Sequence, residues 1–408
     1  MSGPERWLLS PHVGVEAADE SSVVVFHGAT GARLRLSKPL YEVLRAFRNP
    51  AAPAEALGRR DFAAARRCLE TLRAKGFLVL ADAGGRTAGV GGEVPARPVA
   101  PSPYTMFRCS PRGPGAWPAH AAVIGVPSDL GADAAGARDA PAAVRRRSAE
   151  FVYECDFDTC RPRGWFDVDR GERILAGVTI ADHGDVRFHY GESLETVLAR
   201  VAEATREALE AGSFPVLIGG DRSVALGSIR AVAERGPVAV VWLSAASAER
   251  APAAWAAARQ ASALPNIVWL VHAGVRGAGS GTAVSQDGTR AVTVAELRVR
   301  GAAALLEALP EGLPCYVSVD IGVLDPAHAP GVGAPAPGGL EPAELTSLLR
   351  ELGAAREVRC LDICDVLPSK DVGTLTSVVA AHVLLAGLGA FVSPGRAGRD
   401  GGDPRRGC

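Results

Sequence analysis

From His120 onward, short apolar runs alternate with longer helical stretches, and this alternation constrains the chain more than any other feature. Ala122–Val126, Val178–Ala181, Pro215–Gly219, Val238–Leu243, Ile267–Val271, Tyr316–Val319 and Arg359–Val366 have the length and composition of strands. Between them, Leu194–Ala211, Ser223–Arg235 and Pro342–Leu352 read as helices, and a final helix runs from about Leu375 to Leu388. Strands that are apolar throughout and separated by helices belong to a parallel sheet covered on both faces. The expectation is a three-layer α/β/α domain with a doubly wound parallel sheet.

In such a sheet, chemistry sits just beyond the carboxyl ends of the strands. The stretch Pro314–Leu340, PCYVSVDIGVLDPAHAPGVGAPAPGGL, puts Asp320 at one such end, before a long Gly/Pro loop. Position alone leaves Asp320 open as either an active-site group or a turn cap. The order of residues goes further. Ser318, Asp320, Asp325-Pro326, Ala329-Pro330-Gly331, Gly333, Pro335 and Pro337–Leu340 resemble the arginase/agmatinase (ureohydrolase) family, which carries S-x-D-x-D-x-x-D-P and then A-P-G-x-G-x-P-x-P-G-G-L. The resemblance continues in order through IGVPSDLGADAAGARDAPAAVR from Ile124, DHGDV from Asp182, VLIGGDRSVALGS from Val216, HAGVRG from His272 and LDICDVLP from Leu361.

The resemblance implies two manganese ions held by six side chains, with a bridging hydroxide that attacks a guanidinium carbon. At those positions this chain departs from the family. The histidine of G-G-D-H-S is Arg222, the D-A-H-x-D segment is Ser244–Ala248, and the second aspartate of D-x-D is Gly322. Of the implied ligands only Asp320 remains. The glutamate implied to grip the guanidinium is Asp365, and Glu249–Ser262, where a catalytic histidine is implied, is an alanine-rich helical run without one. Two dications need several hard oxygen ligands. No catalytic residue is therefore assigned and no cofactor is predicted, manganese being the metal the family would imply.

What remains is a remnant pocket of Asp320, Arg222, Asp365 and Asp185. A buried carboxylate needs compensation, and a guanidinium stays charged and can donate two parallel hydrogen bonds to one carboxylate. Arg222 is accordingly predicted to point inward and pair with Asp320, with Asp185 or Asp365 as a second partner. The competing reading sends Arg222 to solvent as a product of arginine bias, since Lys38, Lys75 and Lys370 are the only lysines. An alternative metal site is His183, Asp185 and His189, because residues two apart on a strand share a face. Against it, Asp185 can simply order a turn. Cys364, beside Asp365, could be nucleophilic but has no identifiable partner.

Residues 1–81 form a separate unit. His12–Glu16, Ser22–His27 and Arg33–Leu36 read as strands, with a hairpin at Gly28–Gly31. Pro39–Arg48 and Asp61–Lys75 read as helices, and Phe77–Leu80 as a returning strand, in a winged-helix-like order. The segments LRLSKPLYEVLRAF and LETLRAKGFLV resemble PqqD-like peptide chaperones, which hold the leader peptides of ribosomally made, modified peptides. The resemblance implies that a leader adds as a strand at Arg33, Leu34, Arg35 and Leu36 and packs on the long helix at Arg66, Leu69 and Arg73. A winged helix used for dimerisation or DNA is the other reading. Residues 82–118 are a Pro/Gly-rich linker, 119–392 the arginase-like domain and 393–408 a disordered tail.

A net charge of −1 and the lack of a basic stripe argue against nucleic acid. No apolar run is expected to span a bilayer and no signal segment follows Met1, so a cytoplasmic protein is expected. Eight cysteines without a CxxC pair read as free thiols. The functional expectation is an arginase-like protein without its dimanganese site. It would be a non-catalytic scaffold that binds a precursor (leader) peptide in the biosynthesis of a ribosomally made, modified peptide. A peptide-modifying enzyme is the further partner implied, and a homo-oligomer is expected. The alternative is a divergent ureohydrolase-family hydrolase acting on a guanidino group of free or peptidyl arginine or of agmatine.

Overall fold

The computed structural model describes residues 5–10, 13–18, 21–27, 33–47, 51–53, 55, 62–75, 77–80, 98–109, 119–132, 135–152, 156, 161–188, 192–245, 252–277 and 289–393. The chain divides into two compact units, residues 1–101 and 102–408.

In the first unit, strands β1 (Trp7–Leu9), β2 (Val13–Ala18), β3 (Ser22–His27) and β4 (Arg33–Ser37) precede helices α1 (Lys38–Ala46) and α2 (Phe62–Ala74) and strand β5 (Leu78–Leu80). Strands β2, β3 and β4 form an antiparallel sheet with β4 on the outside, and β1 pairs antiparallel with β5. Alternation along the strands turns Val23, Val25 and Leu36 into a core with Val43, Leu44, Leu69, Leu72 and Phe77. Pro39 lies in the first turn of α1, where its missing N–H costs nothing. Strand β1 was not expected, because three residues are too short to show a period and only pairing with β5 defines it. The expected hairpin at Gly28–Gly31 lies outside the described residues.

Two of the residues implied as peptide contacts lie in the core of this unit. Leu36 and Leu69 are 5% and 0% exposed. Both side chains close the core of this small unit. Arg73 is engaged by Glu5 at 3.3 Å and lies 5.2 Å over the Trp7 ring. Arg35 is exposed and Leu34 half-buried, whereas the side chains of Arg33 and Arg66 lie outside the described set. A two-residue strand, β6 (Val99–Ala100), ends the unit.

The second unit runs β7 (Ala121–Gly125), α3 (Ala140–Ser148), β8 (Trp165–Asp167), β9 (Glu172–Ile174), β10 (Ile180–Val186), α4 (Leu194–Glu210), β11 (Phe214–Ile218), α5 (Ala225–Ala233), β12 (Val238–Leu243), α6 (Pro252–Ser262) and β13 (Ile267–Val275). It continues with β14 (Thr289–Thr293), α7 (Val294–Arg300), α8 (Ala302–Ala308), β15 (Cys315–Asp320), α9 (Pro342–Ala355), β16 (Val358–Cys364) and α10 (Leu375–Phe391). Apart from the β8–β9 hairpin, its strands lie in the order β14-β13-β12-β15-β16-β11-β7-β10, each pair parallel. The last strand, β16, sits between β15 and β11. That placement brings the carboxyl ends of β11, β12, β15 and β16 to one side of the sheet.

Two expectations change here. Ser102–Cys109 has the proline content of a linker, yet Met106, Phe107 and Cys109 are buried in the main core. The Met106 N–H donates to Asp182 Oδ2 (2.7 Å) and the Phe107 N–H to Ser148 Oγ (2.8 Å), which fixes this turn in place. The final helix, with the three residues before it, has the length and apolar composition of a membrane span. Its residues are instead packed between α3, α9 and β16, and a helix enclosed on several sides is apolar all round.

Candidate functional site

Local sequence determines how each group reaches the carboxyl end of the sheet. After β11, Gly219-Gly220 leads into Asp221 and a 3-10 turn, Arg222–Val224. A Cβ on Gly220 would lie 1.7 Å from the Ser128 carbonyl oxygen, so only glycine fits. The Asp221 carboxylate accepts from the N–H groups of Ser223 (2.7 Å) and Gly131 (3.0 Å), tying the turn to the loop after β7. Asp320 ends β15 and caps its own turn, with Oδ1 accepting from the Gly322 N–H at 2.7 Å. Asp365 follows β16 with φ +66°, a conformation that a non-glycine residue holds only when its surroundings impose it. Here its N–H donates to the Gly220 carbonyl at 2.8 Å.

Arg222 points inward, 7% exposed, between the two carboxylates. Its Nη2 lies 2.8 Å from Asp320 Oδ2 and 3.1 Å from Asp365 Oδ2. The contact with Asp365 is an aligned hydrogen bond, whereas the one with Asp320 is a close ion pair without that alignment. The expectation was a pair with Asp320 and either Asp185 or Asp365 as a second partner. One nitrogen bridging two aspartates is the arrangement found, because Asp365 stands on the neighbouring strand end. Nε and Nη1 of Arg222 have no hydrogen-bond acceptor.

The electrostatics follow from this burial. Burial works against the Arg222 charge, but Asp320 and Asp365 outweigh it and hold the guanidinium firmly charged. Burial lifts the Asp320 carboxyl to about 6, against the opposing pull of Arg222, and Asp365 adds to the rise. His272, on β13, is buried, and burial together with Arg222 lowers it to about 3, so it is neutral at physiological pH. Burial raises the Cys364 thiol well above its usual range, which leaves it a poor nucleophile.

Asp185 is not part of this group. It pairs with Arg145, whose Nε and Nη2 hold Asp182 at 2.8 and 3.0 Å and whose Nη2 also donates to the Gly184 carbonyl at 2.8 Å. Of the trio His183, Asp185 and His189, two lie among the described residues. Asp185 is taken by Arg145, His183 is buried, and His189 lies outside the described residues. Ser244 is buried after β12, while positions 246–248 lie outside the described residues. Among the described residues, no three His, Cys, Asp or Glu side chains are grouped to hold a metal ion.

The groups present do not fit the dimanganese centre that the motifs imply. A permanent cation stands between the carboxylates, and both are used to neutralise it. A cavity of about 680 Å³ opens at the opposite, amino ends of the strands, beside Phe214, Val358 and Arg359. It is remote from this chemistry.

Several organising residues were not singled out from sequence. Arg276 donates to the carbonyls of Gly322 (2.9 Å), Val323 (2.9 Å), Leu324 (3.0 Å) and Ala336 (2.7 Å), fastening the loop after β15. Asp325 closes the same loop by accepting from the N–H groups of Ala327, Gly338 and Gly339. Arg145 and Asp221 complete the set. Their motifs were legible, but their partners lie on other strands.

The sequence pattern of the arginase family matches residues 119–389. The chain is 34% identical over 282 residues to proclavaminate amidinohydrolase of Streptomyces clavuligerus, spanning 64% of this chain and 84% of that protein. It is 33% identical over 264 residues to formimidoylglutamase of Halobacterium salinarum, spanning 61% and 80%. The solved structure of the Streptomyces clavuligerus enzyme superposes with a TM-score of 0.59 at 30% identity, covering 72% of this chain and 98% of that one. By motif order, sheet order and this match, the chain belongs to the arginase family.

Proposed function

We propose that the arginase-family unit of this chain is a non-catalytic scaffold, and that the N-terminal unit binds the leader of a precursor peptide during biosynthesis of a ribosomally made, modified peptide. The observation that carries the first part is the position of Arg222, between Asp320 and Asp365 at 2.8 and 3.1 Å. Metal-assisted hydrolysis needs carboxylates free to bind a Lewis acid and a position for the attacking oxygen. Here both carboxylates face a guanidinium instead. The second part is supported by β4, an outer strand with an exposed Arg35 and a half-buried Leu34.

The identity to proclavaminate amidinohydrolase supports a second reading. In that reading the chain is a divergent hydrolase of a guanidino group, on free or peptidyl arginine or on agmatine. One experiment separates the two. Purified full-length protein, supplied with manganese and with arginine, agmatine or an arginine-containing peptide, is expected to release no urea. Sustained urea release that disappears in Asp320→Ala would overturn the scaffold reading in favour of the hydrolase.

A further inference from the structure

We infer that the cavity between the β8–β9 hairpin and helices α9 and α10 binds a free, apolar α-amino acid. Its carboxylate would rest on Arg350, its ammonium would face Asp167 and Asp169, and its side chain would lie on an aromatic floor. The cavity measures about 330 Å³ and shares no residue with the Arg222 group. That is the lower end of small-molecule sites, which run from roughly 300 to 1,000 Å³. Its walls are fixed by their own packing. Trp165 of β8 meets Phe107 edge-on, with ring centres 5.4 Å apart. Ile174 of β9 packs so closely on α10 that a Cβ at Gly389 would lie 3.0 Å from it. His382 and Leu385 of α10 also line the cavity, and the His382 ring stands 5.9 Å from that of Phe151.

The charges around this floor are unpaired. Thr346 and Arg350 stand one turn apart on α9 and both line the cavity. Arg350 is half-buried, and among the described residues no carboxylate pairs with it. A guanidinium that has lost part of its water gains most from a carboxylate, which it can meet with two parallel hydrogen bonds. Acids do line the hairpin wall of the same cavity, yet neither reaches Arg350. Asp167 ends β8, and its Oδ1 accepts from the Arg170 N–H at 3.1 Å, while Asp169 is exposed in the turn. The Arg170 side chain is engaged by Glu172. Opposite charges that line one cavity without meeting suit a molecule that carries both. A free α-amino acid has a carboxylate and an ammonium on one carbon, whereas the interior of a peptide has neither.

The test titrates the full-length protein by calorimetry with L-phenylalanine and three relatives. Of these, 3-phenylpropanoate lacks the ammonium, 2-phenylethylamine lacks the carboxylate, and N-acetyl-L-phenylalaninamide lacks both charges. Phenylalanine is expected to bind at least about ten-fold more tightly than each of them. Arg350→Gln, with circular dichroism confirming its fold, is expected to weaken phenylalanine at least about ten-fold without weakening 2-phenylethylamine. Asp167→Asn/Asp169→Asn is expected to weaken phenylalanine without weakening 3-phenylpropanoate. Ala386→Trp fills the cavity and is expected to abolish binding. Equal binding of phenylalanine and 3-phenylpropanoate overturns the ammonium site and with it the amino-acid assignment. Equal binding of N-acetyl-L-phenylalaninamide overturns it in favour of a peptide side chain. Phenylalanine bound undiminished by both Arg350→Gln and Ala386→Trp overturns this cavity as the site, and no phenylalanine bound at about 10 mM overturns the inference altogether.

Discussion

Two buried arginines in the arginase-family unit each face two aspartates, and they are not equivalent. Arg145 uses Nε, Nη1 and Nη2, holding Asp182, Asp185 and the Gly184 carbonyl. Asp182 in turn accepts from the Met106 N–H. Arg222 meets Asp320 and Asp365 through Nη2 alone, and its Nε and Nη1 are left without an acceptor. The first is a staple in which charge and hydrogen bonds are satisfied together. The second neutralises charge but leaves hydrogen bonds unmade, which is what a replacement in a space shaped for other groups would do.

Removal is expected to cost more at the staple. Arg145→Ala is expected to destabilise by about 5 kcal/mol, or to prevent folding, because it strands two carboxylates and the Gly184 carbonyl. Arg222→Ala should cost about 3 kcal/mol, the lower end for a broken buried pair. Urea unfolding of both variants checks this, and an equal or larger loss at Arg222 would break the comparison.

Asp362, also buried, shows what happens without an arginine. Among the described residues it accepts from Tyr316 (2.6 Å) and Ser318 (3.0 Å), and burial raises it from 3.8 to about 7. A folded pKa above the unfolded one means that the native state binds the extra proton. Its contribution is therefore fully present below pH 3.8 and is lost as pH rises through about 7. Relative to Asp362→Asn, the parent protein should lose roughly 2–3 kcal/mol between about pH 5 and pH 7. Unfolding curves at the two pH values that differ equally for both proteins would show that Asp362 is ionised throughout.

The smallest effect expected is the sharpest. Replacing Arg222 with Met and both Asp320 and Asp365 with Asn removes all three charges at once. Stability should then stay within about 1 kcal/mol of the parent, since a buried ion cluster is often no better than neutral packing. The same treatment of Arg145, Asp182 and Asp185 should remain clearly destabilising, because an asparagine at 182 has one acceptor oxygen for the N–H groups of Met106 and Gly184 that two carboxylate oxygens now serve, and the Gly184 carbonyl loses its arginine donor.

Much of this was legible from residue order. The Gly/Pro loop after Asp320 and the parallel strands followed from motif and alternation, and the inward turn of Arg222 followed from the cost of a lone buried carboxylate. What escaped depended on which strands are neighbours. Asp185 looked like a partner for Arg222 or a metal ligand, but β10 lies beside β7, within reach of Arg145. Arg145 itself was hidden by the chain's general use of arginine. Met106 and Phe107 were masked by surrounding prolines, although two buried apolar side chains and two N–H bonds outweigh that local signal.

In the proposed scaffold reading, the Arg222 guanidinium takes the place of the metal centre implied by the family's motifs. Equilibrium dialysis of the purified full-length protein against manganese, with bound metal quantified per chain, tests it directly. The account predicts no stoichiometric binding, and no gain of binding lost again in Asp320→Ala. Two manganese ions bound per chain, and released by Asp320→Ala, would contradict it.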